Sequence, residues 1–315
     1  MGNYVVVDKL TKKYGDVCAV DTLSFTVEEG EIFGFLGPNG AGKSTTLNVL
    51  TTLTDFDRGT VTINGWDLSR DRDRVKPLIG MVPQEIAVYP MLSAYENVSF
   101  FASLYSLSGR KRREAAREAL SFVGLAERAG IQPRRMSGGM RRRLNIACGI
   151  VHSPKLIVLD EPTVGVDAQS REHILEAIRT LRERGATVIY TSHYMPEVQE
   201  ICDRVAIIDK GRLAACGTEE ELMSLVTDVK SVYVETRFPQ EFDREALRRR
   251  LALLPDVKKI EFQDNSIRVD MGLSRNGVAP VLQSLLEAGL PLLEVRSEAP
   301  NLETTFLALT GHDLR

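Results

Sequence analysis

The chain has 315 residues, of which 43% are hydrophobic and 26% charged, enough apolar material for one large domain and a smaller one. Lys+Arg 40 against Asp+Glu 43 leave a formal net charge of −3, so a molecule-wide basic field for gripping nucleic acid is absent and no nucleic-acid partner is expected. The cysteines Cys18, Cys148, Cys202 and Cys216 lie far apart without a CxxC pair, which argues against a disulfide scaffold or a thiolate metal site and fits a reducing compartment.

No apolar run is long enough to cross a bilayer; the best, Leu156 to Leu159, stops at Asp160 and Glu161. Lys9, Lys12, Lys13 and Asp16 interrupt the opening segment, so no secretory signal pattern stands there. Met1-Gly2 is followed by Val6, where N-myristoylation wants Ser or Thr. Work at a membrane is expected to need a partner.

In chain order, Tyr4 to Val7 reads as a short strand, and Leu23, Phe25 and Val27 alternate with polar residues as a second. Glu31 to Leu36 is mostly apolar and is expected to be central. A glycine-rich turn leads into a helical run from Thr45 to Leu53. Val61 and Ile63 make a further strand, closed by a turn at Asn64-Gly65.

From about Met91 to Ile150 helical periodicity takes over, with Ala116, Leu120 and Val123 on one stripe. This reads as a helical insert within an α/β domain. Strand signals return at Leu156 to Leu159, Thr187 to Tyr190 and Val205 to Ile208, separated by helical runs at Gln169 to Arg184 and Pro196 to Cys202. Short apolar strands alternating with helices predict a largely parallel, covered sheet. Ligands of such sheets bind beyond the carboxyl ends of the strands.

A second region starts after about Thr218. Strands are expected at Ser231 to Thr236, Ile260 to Phe262, Ile267 to Val269 and Leu292 to Val295, with helices at Arg244 to Leu254 and Val281 to Ala288. That order, β-α-β-β-α-β, is the ferredoxin-like pattern. Leu302, Phe306 and Leu309 form an apolar stripe on a last helix. The expected division is 1–218, with its helical insert at about 91–150, and 219–315 as a small α+β domain.

Gly37-Pro38-Asn39-Gly40-Ala41-Gly42-Lys43-Ser44-Thr45 matches G-x-x-x-x-G-K-[ST] between a strand and a helical run, the P-loop context. Gly40 and Gly42 let successive N–H groups curl around phosphates, and the following helix adds its positive end. Lys43 is expected to reach the β- and γ-phosphates and Ser44 to offer its hydroxyl to Mg²⁺, with Thr45 in support. Asp160, ending a buried strand, suits the magnesium shell. Glu161 suits the task of orienting and polarising an attacking water.

Gln84, at the seam between sheet and insert, reads either as a loop glutamine or as an amide touching magnesium or water. Ser137-Gly138-Gly139 opens a helical run, where exposed N–H groups suit an anion. With a P-loop already in the same chain, a neighbour's γ-phosphate is the more natural target. Arg141, Arg142 and Arg143 read as a solvated face or as anion contacts. His193 ends the strand Thr187 to Tyr190 and can hold a γ-phosphate and water, whereas His152, His173 and His312 are expected at the surface or in packing. No His, Cys and carboxylate cluster has metal-ligand spacing.

These segments resemble the ATP-binding subunit of an ABC transporter, of the ABC-2 antibiotic and multidrug exporter type. The resemblance rests on GPNGAGKST at 37–45, Gln84, SGGMRRRL at 137–144, LIVLDEP at 156–162, Gly165-Val-Asp167 and His193, in the family's order over residues 4–217. It implies that Tyr14 stacks on adenine and that Asp167 belongs to the D-loop. The family's LSGGQ reads Met136-Ser-Gly-Gly-Met140 here, which loses a polar side chain near the partner's nucleotide. The segment Asn301 to Gly311 resembles the end of the same exporters' C-terminal extension.

The resemblance further implies Mg²⁺ and two ATP molecules at the interface of a head-to-tail pair, formed with a second copy or a homologous ATPase subunit. Opening and closing of that pair would drive a membrane permease at the cytoplasmic face of the cell membrane. Glu85 to Asn97, with Tyr89, Met91, Leu92 and Tyr95, is the expected docking segment, or else plain packing of the insert. A subunit of an importer, or of a sodium or polysaccharide exporter, is the neighbouring alternative; a soluble ATPase of translation or repair lacks support from chain length and insert length.

Overall fold

The computed structural model describes residues 2–226, 229–239, 241–272, 278–298 and 301–311. The chain forms two compact units, one over Met1–Glu219 with Leu309–Arg315 and the other over Glu220–Ala308.

The first unit opens with two long strands, β1 (Asn3–Tyr14) and β2 (Val17–Glu28), then β3 (Ile32–Leu36) and α1 (Lys43–Leu50). Next come β4 (Arg58–Ile63), β5 (Trp66–Asp67), the short helix α2 (Arg72–Val75) and β6 (Ile79–Val82). β1 runs well past the expected Tyr4 to Val7. The strand absorbs Lys9, at φ 52, as an irregularity in its pairing with β2, so Leu10 rather than Lys9 faces inward. Strict alternation breaks there, and the sequence pattern stops with it.

The insert contains α3 (Ala94–Leu104), α4 (Gly109–Phe122) and α5 (Gly138–Ile150). Ser93 and Glu96 start α3 with a capping box. The fully buried Asn97 then folds the preceding segment: its Oδ1 accepts from the Tyr89 N–H at 2.7 Å, and its Nδ2 reaches the carbonyls of Tyr89, Leu92 and Ser93.

Beyond the insert follow β7 (Leu156–Asp160), α6 (Ala168–Glu183), β8 (Thr187–Thr191), α7 (Met195–Ile201), β9 (Arg204–Asp209) and β10 (Arg212–Gly217). β1, β2, β4 and β5 form an antiparallel sheet. The second sheet has the order β10-β9-β3-β8-β7-β6 and is parallel except at its β10 edge, a strand the sequence pattern did not single out. Every residue of β3, β7 and β8 is buried, as strands covered on both faces require. Phe25 of β2 joins the two sheets, lying 5.6 Å from Phe33 and 5.3 Å from Phe35 between ring centroids.

The second unit follows through α8 (Glu219–Val226), β11 (Val229–Glu235), α9 (Arg244–Ala252), β12 (Val257–Phe262), β13 (Ser266–Gly272), α10 (Ala279–Glu287) and β14 (Glu294–Glu298); α11 (Leu302–Thr310) ends the described chain. Its sheet is antiparallel with the order β12-β13-β11-β14, the ferredoxin-like arrangement. Val232, Val234, Ile267 and Val269 meet Leu247, Leu251, Val281 and Leu285 in its core. β14 begins two residues later than the expected Leu292. Leu292 packs against this core ahead of the strand, so an apolar residue there marks packing rather than strand pairing.

Candidate active site

β3 ends at Leu36, and the chain turns through Gly37 to Gly42 into α1. Gly40 and Gly42 hold φ +80 and +100, the left-handed region that favours glycine. A side chain at Gly42 would sit 2.5 Å from the Ala19 carbonyl oxygen, and one at Gly37 would sit 2.5 Å from that of Ile208, so packing fixes both as glycine. Lys43 is buried at 7% exposure, with its ammonium donating to the carbonyls of Gly37 and Pro38. Burial pushes its pKa down, while the carboxylates of Glu161 and Asp160 pull it back up. Ser44 and Asn39 face outward and Thr45 is half-buried; Ala41 is buried under the loop.

The strands β6, β7 and β8 are neighbours, so their carboxyl ends meet. Glu161 follows β7 in a left-handed conformation, φ 48, uncommon for a residue with a side chain. The Thr191 hydroxyl at the end of β8 accepts from the Glu161 N–H at 2.9 Å and donates to Asp160 at 2.8 Å. The Glu161 carboxylate, 7% exposed, accepts from the Gln84 amide at 2.9 Å on one oxygen and meets Nε2 of His193 with the other. Nδ1 of His193 is buried without a hydrogen-bond partner. Lys43, Gln84, Asp160, Glu161 and His193 are thus assembled by the sheet.

Ser137 to Gly139 form a different cluster. The Ser137 hydroxyl accepts from the Met140 N–H and caps α5. A side chain at Gly139 would come within 2.0 Å of Ser170 Oγ. Asp167 caps α6 by accepting from the N–H and hydroxyl of Ser170, each at 2.8 Å, and these bonds hold its pKa below the usual carboxylate range. Tyr14 stands at the β1–β2 turn, 49% exposed, with the Lys12 ammonium 5.1 Å from its ring centroid.

Three residues that matter here escaped the sequence. Arg142 is buried and donates to the carbonyls of Pro83 and Gln84, so it is neither a solvated arginine nor a free anion contact. Its signal was its place on the buried stripe of α5 with Gly139 and Asn145. Thr191 and Glu197, both buried, carried no motif. Of the other histidines, His152 stacks on Tyr105, His173 is exposed, and His312 lies outside the described residues.

A family profile described as ABC transporter matches residues 20–164. The chain is 40% identical to the linearmycin resistance ATP-binding protein LnrL of Bacillus subtilis (strain 168), over 98% of each chain. It is 35% identical to the daunorubicin resistance ATP-binding protein DrrA3 of Streptomyces coeruleorubidus, over 99% of this chain and 97% of that protein. Among solved structures it is similar to the dimeric post-hydrolysis state of the ATP-binding cassette MJ0796 bound to ADP and Pi. That match has a TM-score of 0.62 and 29% identity, covering 68% of this chain and 98% of the other. With a glycine loop, a buried lysine and a buried carboxylate gathered at the carboxyl ends of the parallel strands, and with relatives similar along nearly their whole length, the chain belongs to the ABC transporter family as an ATP-binding subunit.

Proposed function

We propose that the chain hydrolyses ATP in a head-to-tail pair of cassettes and so powers export of a drug, antibiotic or lipid-like compound through a separate ABC-2 type membrane permease. The observation that carries this reading is the Glu161 carboxylate, held between Gln84 and His193 beside the buried Lys43.

In this reading the N–H groups of Gly40 to Thr45 ring the phosphates, and Lys43 neutralises the β- and γ-phosphates. Glu161 orients and polarises the attacking water, His193 holds the γ-phosphate, and Tyr14 stacks on adenine. Ser137, Gly138 and Gly139 of a second copy, or of a homologous subunit, cap the γ-phosphate across the interface, with Asp167 beside them.

Among the described residues no group of three or more His, Cys, Asp or Glu could hold a metal alone. A hydroxyl at Ser44, an amide at Gln84 and a carboxylate at Asp160 offer hard oxygen donors of the kind that suit Mg²⁺, which takes few protein ligands. Ser44, Gln84 and Asp160 would hold it, and it would supply neutralisation of charge on the β- and γ-phosphates. Residues 1–218 act as the ATPase and 219–315 as an accessory domain.

No helix among the described residues is long and apolar enough to cross a membrane. In this reading, attachment to the cytoplasmic face of the cell membrane runs through the permease. The segment Glu85 to Asn97, with Tyr89 48% and Met91 61% exposed, is the docking candidate. Relatives named for resistance to linearmycin and daunorubicin support export over import.

The test is co-expression with a membrane protein encoded beside it, followed by co-purification and ATPase assays with amphipathic antibiotics. A stable complex whose turnover rises with such a compound is expected. A rate that responds only to a soluble binding protein would replace export by import.

A further inference from the structure

Glu197 of α7 is 2% exposed, and its carboxylate accepts from three hydroxyls and forms an ion pair with Arg171. One oxygen accepts from Thr163 Oγ1 at 2.7 Å, Tyr190 Oη at 2.6 Å and Ser192 Oγ at 3.0 Å. The other faces Nε of Arg171 at 2.9 Å. Thr163 lies two residues beyond Glu161, and Ser192 directly precedes His193. Ser192 Oγ also accepts from the Tyr194 N–H at 3.0 Å, and the Arg171 guanidinium lies 5.0 Å from the Tyr194 ring centroid. Burial, and next the Glu197 charge, hold the Tyr190 phenol well above its usual pKa, so it stays a donor.

A carboxylate buried this deeply is tolerated only when its acceptor capacity is met. Here hydroxyl donors come from the loop after β7, the strand β8 and the turn after β8, and α6 adds the opposite charge of Arg171. Both loops bearing the proposed catalytic side chains are therefore tied to one anion, and α6, which Asp167 caps, is tied to it as well.

We propose that Glu197 is a positioning residue for ATP hydrolysis: through Thr163 and Ser192 it fixes Glu161 and His193 against each other, and through Arg171 it ties that pair to the helix following Asp167. The proposal rests on the reading that Glu161 and His193 act at the γ-phosphate. Glu197 itself touches neither of them in the contacts above.

The experiment uses the full-length protein and compares Glu197→Gln, Ser192→Ala, Thr163→Val, His193→Ala and the double variant Glu197→Gln/His193→Ala. Radiolabelled phosphate release gives kcat and KM, equilibrium binding gives ATP affinity, and circular dichroism reports folding. Misplacement of reacting groups on the ångström scale costs turnover by up to about 100-fold. Glu197→Gln is therefore expected to lower kcat at least about tenfold with ATP affinity within about twofold. In the His193→Ala background the same change should cost less than about twofold more, because the two residues act as one unit.

A merely structural Glu197 would multiply its loss equally in both backgrounds, and that result would overturn the proposal, as would an unchanged kcat. If Glu197→Gln does not fold, Ser192→Ala and Thr163→Val each remove a single strut and carry the same expectation; normal kcat in both would equally overturn it. Full activity in His193→Ala would instead sink the underlying reading of the site, a separable outcome.

Discussion

The guanidinium of Arg142 donates to the main-chain carbonyl of Gln84 at 2.6 Å and to that of Pro83 at 3.2 Å. Asn145, on the same face of α5, donates to Pro83 at 3.3 Å and accepts from the Ala87 N–H at 3.1 Å. The helix that begins at Ser137 is thus bonded to the loop carrying Gln84. Burial pushes the Arg142 pKa down, and the nearby carboxylates of Glu161 and Asp160 oppose that shift. The group keeps its charge, as a guanidinium does in proteins.

Arg142→Met should expose the value of that link. Methionine fills a similar length but donates nothing, leaving the Gln84 carbonyl without this partner while Asn145 still donates to Pro83. A hydrogen bond from a charged group is worth about 1.5–3 kcal/mol, and for this part-buried bond urea unfolding should shift by no more than the lower end of that range. ATPase stimulation by the permease is expected to fall further than the basal rate, because the loop that Arg142 holds leads directly into the proposed docking segment Glu85 to Asn97. An unchanged urea midpoint together with unchanged stimulation would show the link to be dispensable.

Glu161→Gln keeps the size of the side chain and a partner for Gln84, yet it cannot take a proton. Turnover should fall by about 10²–10⁴-fold, the range of a positioned general base. ATP binding should persist, so light scattering in ATP should find a stable dimer. Lys43→Ala should lose turnover together with nucleotide affinity, since it removes charge from the phosphate site. Glu161→Gln turning over at the wild-type rate would remove the carboxylate from the mechanism.

The glycine loop was legible because its chemistry is local: φ +80 and +100 at Gly40 and Gly42 need glycine whatever surrounds them. Gln84 and Glu161, 77 residues apart, meet only because β6 and β7 are parallel neighbours. Sequence periodicity locates strands and leaves their pairing open, so the family resemblance had to supply that convergence. Arg142 and Glu197 were illegible for another reason. A charged residue reads as solvated, and nothing local announces that carbonyls or hydroxyls converge on it. In the second unit the β-α-β-β-α-β order was readable from periodicity, while the β14 boundary slipped because Leu292 packs against the core without being in a strand.

Gly139→Ala tests the close approach of α5 to the start of α6. The added methyl would lie 2.0 Å from Ser170 Oγ and 2.5 Å from its Cβ, closer than atoms can pack. Overpacking of this kind typically costs about 1–3 kcal/mol, readable as a lowered urea midpoint. Dimer formation in ATP should weaken as well, since α5 must tilt away from α6. Ser170→Gly removes both clashing atoms and should restore part of the loss, at the cost of the hydroxyl bond to Asp167. A Gly139→Ala protein as stable as wild type would mean that the two helix starts separate freely.

His152 gives the fold a pH dependence of calculable sign. Its ring stacks on Tyr105, with centroids 3.4 Å apart and planes 4° from parallel, and Nε2 lies 3.0 Å from the Ile79 carbonyl oxygen. Burial lowers its pKa from 6.5 to about 4, against the pull of that carbonyl. Between those values the unfolded chain binds the proton and the folded chain does not, so stability falls as the pH drops from 6.5 towards about 4. The contribution is present in full above the unfolded value and amounts to at most about 3 kcal/mol. His152→Phe keeps the stack and abolishes the titration. Urea midpoints at several pH values between neutral and acidic should therefore decline less steeply in the variant than in the wild type. Parallel curves would assign the acid sensitivity to the carboxylates instead.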